Sequence, residues 1–341
     1  MSDSELYRLK QLSLEGNNNT PLVSVIIPTY NRADLVCNAI KSVLNQTFKD
    51  VEIIIVDDGS TDDTREKIKK FKDKIHYFYQ ENKGASAAQN KGIELSKGKW
   101  ISILASDDIW LPRKLELQLE ALNRLGDEFG ACFADCKFIG TELEDDRAFL
   151  RAGLTSQLRF GPITSPLDYI LGHYLGLFVQ SMLVRKDLVD KGKGFDLTLV
   201  VLEDTDLVFR LSLRTKLCFV NEPLVIIDRS QDYKKQRLSS LIEERTDQAF
   251  CSMERMYKKW LSILDIEGQD DIRCRIYDCL KLSYYDWIII KIKRLRWREV
   301  MPLIEKLIDI GETYDDLFRT LVSRMLSKMI KLPRELFNRI K

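Results

Sequence analysis

The 341-residue sequence predicts an α/β protein, a mostly parallel sheet flanked by helices and followed by a helical C-terminal region. Three observations predict it. Short apolar runs rich in Val and Ile alternate with amphipathic segments of helical length, the pattern of βαβ units. Acidic and small residues gather just after those runs, at the carboxyl edge where parallel sheets bind ligands. Beyond about residue 238 a 3.6-residue period takes over, with no strand-like run to compete.

Taken in order, residues 1–20 are polar, end in Gly-Asn-Asn-Asn-Thr and read as a flexible arm. The run 23–27 is a strand stopped by Pro28, and Leu35, Ala39, Ile40, Val43 and Leu44 follow with helical spacing. Residues 51–56 form a second strand, ending in Asp57-Asp58-Gly59-Ser60, with Ser60 and Asp63 spaced as a capping box. A third strand spans 75–79 and places His76 in the core; a helix follows over 85–95. The fourth strand, 101–104, delivers Ala105, Ser106, Asp107 and Asp108, and Pro112 opens the next helix. Further on, 130–138 and 178–184 read as strands, 206–213 as a helix, and 217–220 and 224–227 as two short strands. The charged stretch 141–166 has no clear period. The expected domains are 21–235, carrying the sheet, and 236–341, helical.

Composition narrows the function classes. With 53 Lys and Arg against 52 Asp and Glu, the chain carries no electrostatic footprint for nucleic acid. The charge is uneven, since residues 231–341 hold 23 basic against 18 acidic residues. Seven Cys without a Cys-x-x-Cys pair, and only two His, offer no zinc spacing and point to a reducing compartment. The N-terminus lacks the apolar segment of a signal peptide, and the longest uncharged stretch, 169–184, is too short and polar to span a bilayer. A cytoplasmic location follows as the expectation. Leu282, Tyr285, Ile288, Ile289, Ile292 and Leu295 share a helical face beside Lys291, Lys293, Arg294, Arg296, Arg298 and Trp297, and Val322, Met325, Leu326, Met329 and Ile330 repeat the stripe. Such faces pack within a helical subdomain, against a second copy, or peripherally on the inner face of the cell membrane.

The loops carry the chemistry. Tyr30, in Pro28-Thr29-Tyr30-Asn31-Arg32, offers a ring for stacking a base. Asp57 and Asp58 can accept hydrogen bonds from ribose hydroxyls. There is no glycine-rich phosphate loop, so a bound diphosphate needs another source of positive charge. Adjacent Asp107 and Asp108 suit a hard divalent cation whose shell is completed by phosphate and water, although an acidic cap uses the same residues. Lys83 can reach a phosphate, and Glu203-Asp204-Thr205-Asp206 is either a dipole-complementing cap or the source of a general base.

Together, Val23-Ser24-Val25-Ile26-Ile27-Pro28-Thr29-Tyr30-Asn31-Arg32, Val56-Asp57-Asp58-Gly59-Ser60-Thr61-Asp62, Asn82-Lys83-Gly84 with Asn90, Ser106-Asp107-Asp108-Ile109-Trp110 and Glu203-Asp204-Thr205-Asp206-Leu207 occur in order. This succession resembles the inverting glycosyltransferases of family 2, with the GT-A nucleotide-diphospho-sugar transferase fold, over about two thirds of the chain. The resemblance implies that Pro28, Thr29, Tyr30, Asn31, Asp57, Asp58, Lys83, Gly84, Asn90 and Asp107 bind a nucleotide sugar, most often a UDP-sugar. It implies Mn²⁺ or Mg²⁺ on Asp107 and Asp108, and Asp204 as the base that deprotonates an acceptor hydroxyl. Glu203, His173 and Arg229 are further candidates for acceptor or diphosphate contacts. The acceptor would be a saccharide or lipid-linked saccharide in polysaccharide, lipopolysaccharide or capsule assembly. Two departures stand out: Ala105 replaces an Asp common in the family, and no His follows the last strand. A nucleotidyltransferase would need a basic glycine-rich loop after the first strand, which is absent. A non-catalytic, partner-binding or nucleotide-binding subunit of a polymer-assembly complex is favoured by Ala105 alone.

Overall fold

The computed structural model describes residues 20–143, 145–171, 176–229, 240–264 and 270–330. The chain forms two compact units, Met1–Leu199 with Glu203–Gln236, and Val200–Leu202 with Arg237–Lys341. The expected boundary near residue 235 lies outside the described residues.

The first unit is built on one mixed sheet. Its strands are β1 Val23–Thr29, β2 Val51–Asp58, β3 His76–Gln80, β4 Trp100–Ile103, β5 Ile109–Trp110, β6 Phe129–Ile139, β7 Phe160–Ile163, β8 Met182–Arg185 and β9 Lys216–Asp228. The order is β3-β2-β1-β4-β8-β6-β9-β5, with β7 also on β9. The first four strands are parallel, and β8 is antiparallel to both β4 and β6. Two reversals restore the direction, so β6 and β9, parallel to each other, run the same way as β1. The carboxyl ends of β1, β2, β4, β6 and β9 therefore share one edge.

Helices cover both faces. Helix α1, Ala33–Leu44, sets Val36, Ala39, Ile40 and Val43 against Val23, Val25, Ile27, Ile53 and Ile55. On the other face Ile54, Val56 and Ala88 pack together, Ala88 coming from α3, Ala85–Leu95. Burial on both faces is why β1 and β2 are continuous apolar runs rather than alternating ones. A Cβ at Gly92 of α3 would stand 2.2 Å from Ile26 Cγ2, so this helix lies on the sheet only because the position is glycine. The short α2, Thr64–Ile68, precedes β3, and α4, Lys114–Leu125, follows β5. Helices α5 Ala148–Ala152, α6 Pro166–Ile170, α7 Lys186–Lys191 and α8 Glu203–Ser212 complete the unit.

Several expectations change. His76 is exposed, because β3 is the edge strand and pairs only with β2. Ser60 does not cap α2: the helix starts four residues later, and Ser60 Oγ instead accepts the Asn31 N–H at 2.9 Å. Pro112 stands two residues ahead of α4. The two short strands at 217–227 are one strand, β9, because Asn221 and Glu222 are accommodated as a register shift opposite Ala134 and Asp135. The run 178–184 is a strand only from Met182. Val179–Ser181 is a 3₁₀ turn whose carbonyls accept bonds from Trp110 Nε1 and Gln118 Nε2.

The second unit holds α9 Ser240–Glu243, α10 Asp247–Ile263, α11 Asp270–Lys293, α12 Met301–Asp309 and α13 Tyr314–Ile330. Trp260, Ile276, Leu280, Tyr284, Ile288, Ile289 and Leu307 are its buried core, and Phe250 stacks on Trp287 with ring centroids 5.3 Å apart. Much of the first stripe is thus spent inside this unit, while Leu282 and Leu295 stay exposed. The second stripe lies on α13, where the side chains of Val322, Met325, Leu326, Met329 and Ile330 are outside the described residues. Among the described residues no helix is long and apolar enough to cross a membrane.

Candidate active site

The strand-end loops are laced to one another. Asn31 adopts a left-handed φ of 50°, which asparagine tolerates better than most residues. Its N–H donates to Ser60 Oγ, and its Oδ1 accepts from the Thr61 N–H at 2.8 Å. Asp62 accepts from the Ala33 N–H at 3.2 Å and the Thr64 N–H at 3.0 Å, tying the start of α1 to the loop after β2. Asn31 therefore holds two loops in register, and Tyr30 beside it is 46% exposed, with its ring free for a flat ligand.

Asp57 and Asp58 are both buried and both spent on the scaffold. Asp57 accepts from the Ser60 N–H at 2.8 Å and from Tyr77 Oη at 2.7 Å. These two bonds shape the loop. Asp58 accepts from Gln80 Nε2 at 2.7 Å and from the Lys83 and Gly84 N–H groups, each at 2.9 Å. That carboxylate fixes the turn that starts α3 and leaves the Lys83 side chain exposed. Gly59 is required twice over in this turn. Its φ is 85°, and a Cβ there would meet the Asn82 nitrogen at 2.7 Å.

Asn90, on α3, bonds the backbone of a distant loop. Its Oδ1 accepts the Phe195 N–H at 2.7 Å and its Nδ2 donates to the Phe195 carbonyl at 2.9 Å. Both ends of the amide are used in pinning the loop before α8 to α3. Arg210 grips the same loop from α8, donating to the Gly192 carbonyl at 2.6 Å and the Gly194 carbonyl at 2.7 Å. It is oriented by Asp206 one turn earlier, at 2.8 Å in a buried pair.

The two adjacent acids after β4 face different ways. Asp107 is partly exposed and pairs with Arg32 at 2.7 Å, linking the loop after β1 to the loop after β4. Asp108 is buried, with its N–H on the Ala105 carbonyl, and its charge helps to push up the Cys136 thiol of β6, after burial and Asp135. One outward carboxylate with a second behind it fits a hard cation that draws most of its shell from phosphate and water. Among the described residues no cluster of three or more His, Cys, Asp or Glu is placed to hold a metal by itself. Beneath this loop Lys114 is fully buried, 2.9 Å from Gln118 Oε1 and 3.8 Å from the Trp110 ring centroid, and burial lowers its pKa to about 7.

Asp204 stands at the start of α8, two residues beyond Leu202, which is held at a φ of 68°. Burial raises its pKa. The Thr205 N–H at 2.7 Å, Thr205 Oγ1 at 3.2 Å and the charge of Arg229 work in the opposite direction. Arg229 follows β9, at the shared carboxyl edge, and its positive charge is one of the groups that favour the ionised form of Asp204. Glu203 is raised too, by burial first and then by the Asp204 charge. With fewer bonds to its charged form than Asp204, it is the better place for a proton the two share. His173 lies outside the described residues.

Arg32 and Gln89 escaped the sequence reading, while Thr29 was named there. Arg32 is the partner of Asp107, which only a contact 75 positions apart reveals. Thr29 Oγ1, at the end of β1, and Gln89 Oε1, on α3, are buried polar atoms without a hydrogen-bond partner in the structure. Such atoms are rare and call for a ligand or water.

Comparison with known proteins agrees with this architecture. Residues 24–169 match the model of "Glycosyl transferase family 2". An uncharacterized glycosyltransferase of Rickettsia typhi is 34% identical over 225 residues, covering 64% of this chain and 67% of that protein. The Campylobacter jejuni GalNAc(5)-diNAcBac-PP-undecaprenol beta-1,3-glucosyltransferase is 32% identical, over 53% of this chain and 59% of its own. The chain thus spans two thirds or less of the length of these relatives. Among solved structures, Staphylococcus aureus TarS 1–349 in complex with UDP-GlcNAc superposes with a TM-score of 0.62, covering 85% of this chain and 81% of TarS at 16% identity. With a mixed GT-A sheet, the loop motifs at its carboxyl edge and relatives of this similarity, the chain belongs to glycosyltransferase family 2.

Proposed function

We propose that this chain transfers a sugar from a nucleotide-diphosphate sugar, a UDP-sugar, to an acceptor hydroxyl with inversion at the anomeric carbon. The observation that carries this reading is the convergence of Tyr30, Arg32, Asp107 and Arg229 at one sheet edge, with a desolvated carboxylate, Asp204, beside them. The sheet unit is the catalytic domain. Tyr30 offers its exposed ring to the base, Thr29 and Gln89 present unpartnered polar atoms on the donor side, and Lys83 and Arg32 are within the loops that would meet the diphosphate. The TarS structure holds UDP-GlcNAc on the same fold, which supports UDP as the carrier.

In the reaction Asp204 accepts the acceptor hydroxyl proton as that oxygen bonds to the anomeric carbon. The bond from that carbon to the diphosphate oxygen breaks on the opposite side, its electrons leaving with the nucleoside diphosphate. A single in-line displacement of this kind inverts configuration. Mn²⁺ or Mg²⁺ held by Asp107, with Asp108 behind it, would offset the charge of the departing diphosphate. Glu203, carrying a proton, leaves Asp204 as the ionised partner.

The acceptor is a saccharide, in line with the C. jejuni relative named for a PP-undecaprenol-linked one. Asp204→Asn tests the reading. Transfer should fall by roughly 10²–10⁴-fold while donor affinity, measured by calorimetry with Mn²⁺ present, stays within a factor of two or so. Undiminished turnover in Asp204→Asn would remove that residue as the base.

A further inference from the structure

The turn between α11 and α12 carries an unusual combination of features. It ends α11 in a Schellman motif, in which the Arg296 N–H donates to the Lys291 carbonyl at 2.9 Å and the Leu295 N–H to the Ile292 carbonyl at 3.0 Å. The position in left-handed backbone, where glycine is favoured, is Leu295, with a φ of 57°. That leucine is 77% exposed, and Trp297 two residues on is 58% exposed. A bulky apolar residue is therefore kept at a strained position where its side chain packs on little of its own protein.

The turn is braced rather than loose. Asp247 and Glu299 both pair with the buried Lys291, Asp247 at 2.7 Å, and both also pair with Arg296, Asp247 at 2.8 Å. Trp287 Nε1 donates to Asp247 at 2.8 Å. Around the two apolar side chains, Lys293, Arg294, Arg296 and Arg298 are exposed, and residues 293–298 contain no acid. Met301, 54% exposed, extends the apolar tip into α12.

We propose that this turn is a docking site for an anionic lipid bilayer, with Leu295 and Trp297 entering the interface and the flanking cations meeting lipid phosphates. A Trp with an apolar neighbour gives weak, reversible insertion, and a basic cluster supplies the second signal that stable peripheral binding needs. Charge selects this occupant over a second copy, since a two-fold contact through this face would set Lys293, Arg294 and Arg298 against the same three cations. The site is independent of sugar transfer and uses none of the residues of the sheet edge.

Co-sedimentation of the full chain with vesicles tests it, using phosphatidylcholine alone and phosphatidylcholine mixed with phosphatidylglycerol. The wild-type chain should pellet with the mixed vesicles and be released by salt, with little bound to phosphatidylcholine alone. Each cation at an anionic surface is worth about five-fold in partitioning, so Arg294→Gln with Arg298→Gln should weaken binding by more than ten-fold. Leu295→Gly separates lipid contact from folding. Glycine relieves the left-handed strain, so the thermal midpoint should hold or rise while vesicle binding falls. Equal binding by wild type, the double Gln variant and Leu295→Gly overturns the proposal. So does a wild-type dimer in light scattering that Leu295→Gly turns to monomer with vesicle binding unchanged. Donor binding, measured in parallel, should be the same in all these proteins, so its loss would reflect on the sheet-edge reading instead.

Discussion

Asp204 is balanced between burial, which favours its neutral form, and Thr205 and Arg229, which favour its charge. A general base works only as the carboxylate, so a raised pKa moves the loss of activity on acidification to higher pH. The acid limb of kcat/KM should therefore lie above the ordinary aspartate range. Removing a group that steadies the charge should raise it further. Thr205→Val, which keeps the N–H but loses the 3.2 Å Oγ1 bond, and Arg229→Gln should each shift the limb upward in a pH–rate profile. A downward shift in either variant would mean another group sets the limb. At this scale the sequence was partly legible. Tyr30 and Asp107 stand just past β1 and β4, because a strand end fixes where the next few side chains go, whereas Asp204 opens a helix and has no such local anchor. Asp57 and Asn90 were less legible. A carboxylate at a strand end or an amide on a helix looks the same in sequence whether or not it bonds Tyr77 or Phe195, and only distant contacts reveal those bonds.

Helix α3 matched its sequence reading to the residue, since Gly84 before it and the small side chains along it are local signals. Strand β9 did not. Asn221-Glu222-Pro223 resembles a turn, yet it is absorbed as a bulge because β7 and β5 pair with different halves of the strand. His76 was misplaced for the related reason that an apolar run does not disclose which strand ends the sheet. The contact of α3 with β1 gives a test at this scale. Gly92→Ala inserts a methyl 2.2 Å from Ile26 Cγ2 and should cost about 1–3 kcal/mol by urea unfolding, as overpacking does elsewhere. An unchanged midpoint would show that the helix can lift from the sheet without penalty. Arg210 offers a second test. Arg210→Ala removes one partner of a buried ion pair, 2.8 Å from Asp206, and should destabilise the chain by about 3–5 kcal/mol.

For the whole molecule, the two units differ in what they should feel. A ligand that binds only folded protein adds about 2.7 kcal/mol at a hundred times its dissociation constant. In scanning calorimetry, a UDP-sugar with Mn²⁺ should raise the transition of the sheet unit, while a separate transition of the helical unit should stay in place. A shift confined to the helical unit would place the donor site wrongly. The mixed half of the sheet was the least legible part at this scale, because β8 arrives antiparallel after a stretch without period. No local signal marks that reversal.

The loop at residues 192–195 is held from both sides, by Asn90 on α3 and by Arg210 on α8. Helices α3 and α8 thus lean on one strut, although Asn90 and Phe195 are 105 positions apart in sequence. Substitutions at the two grips should not be independent. In a double-mutant cycle, Asn90→Ala and Arg210→Gln should show a coupling of about 0.5–3 kcal/mol, against near-additivity for sites without a shared partner. Such a strut makes the mounts of α3 and α8 one mechanical unit, so a change at one grip alters what a change at the other costs.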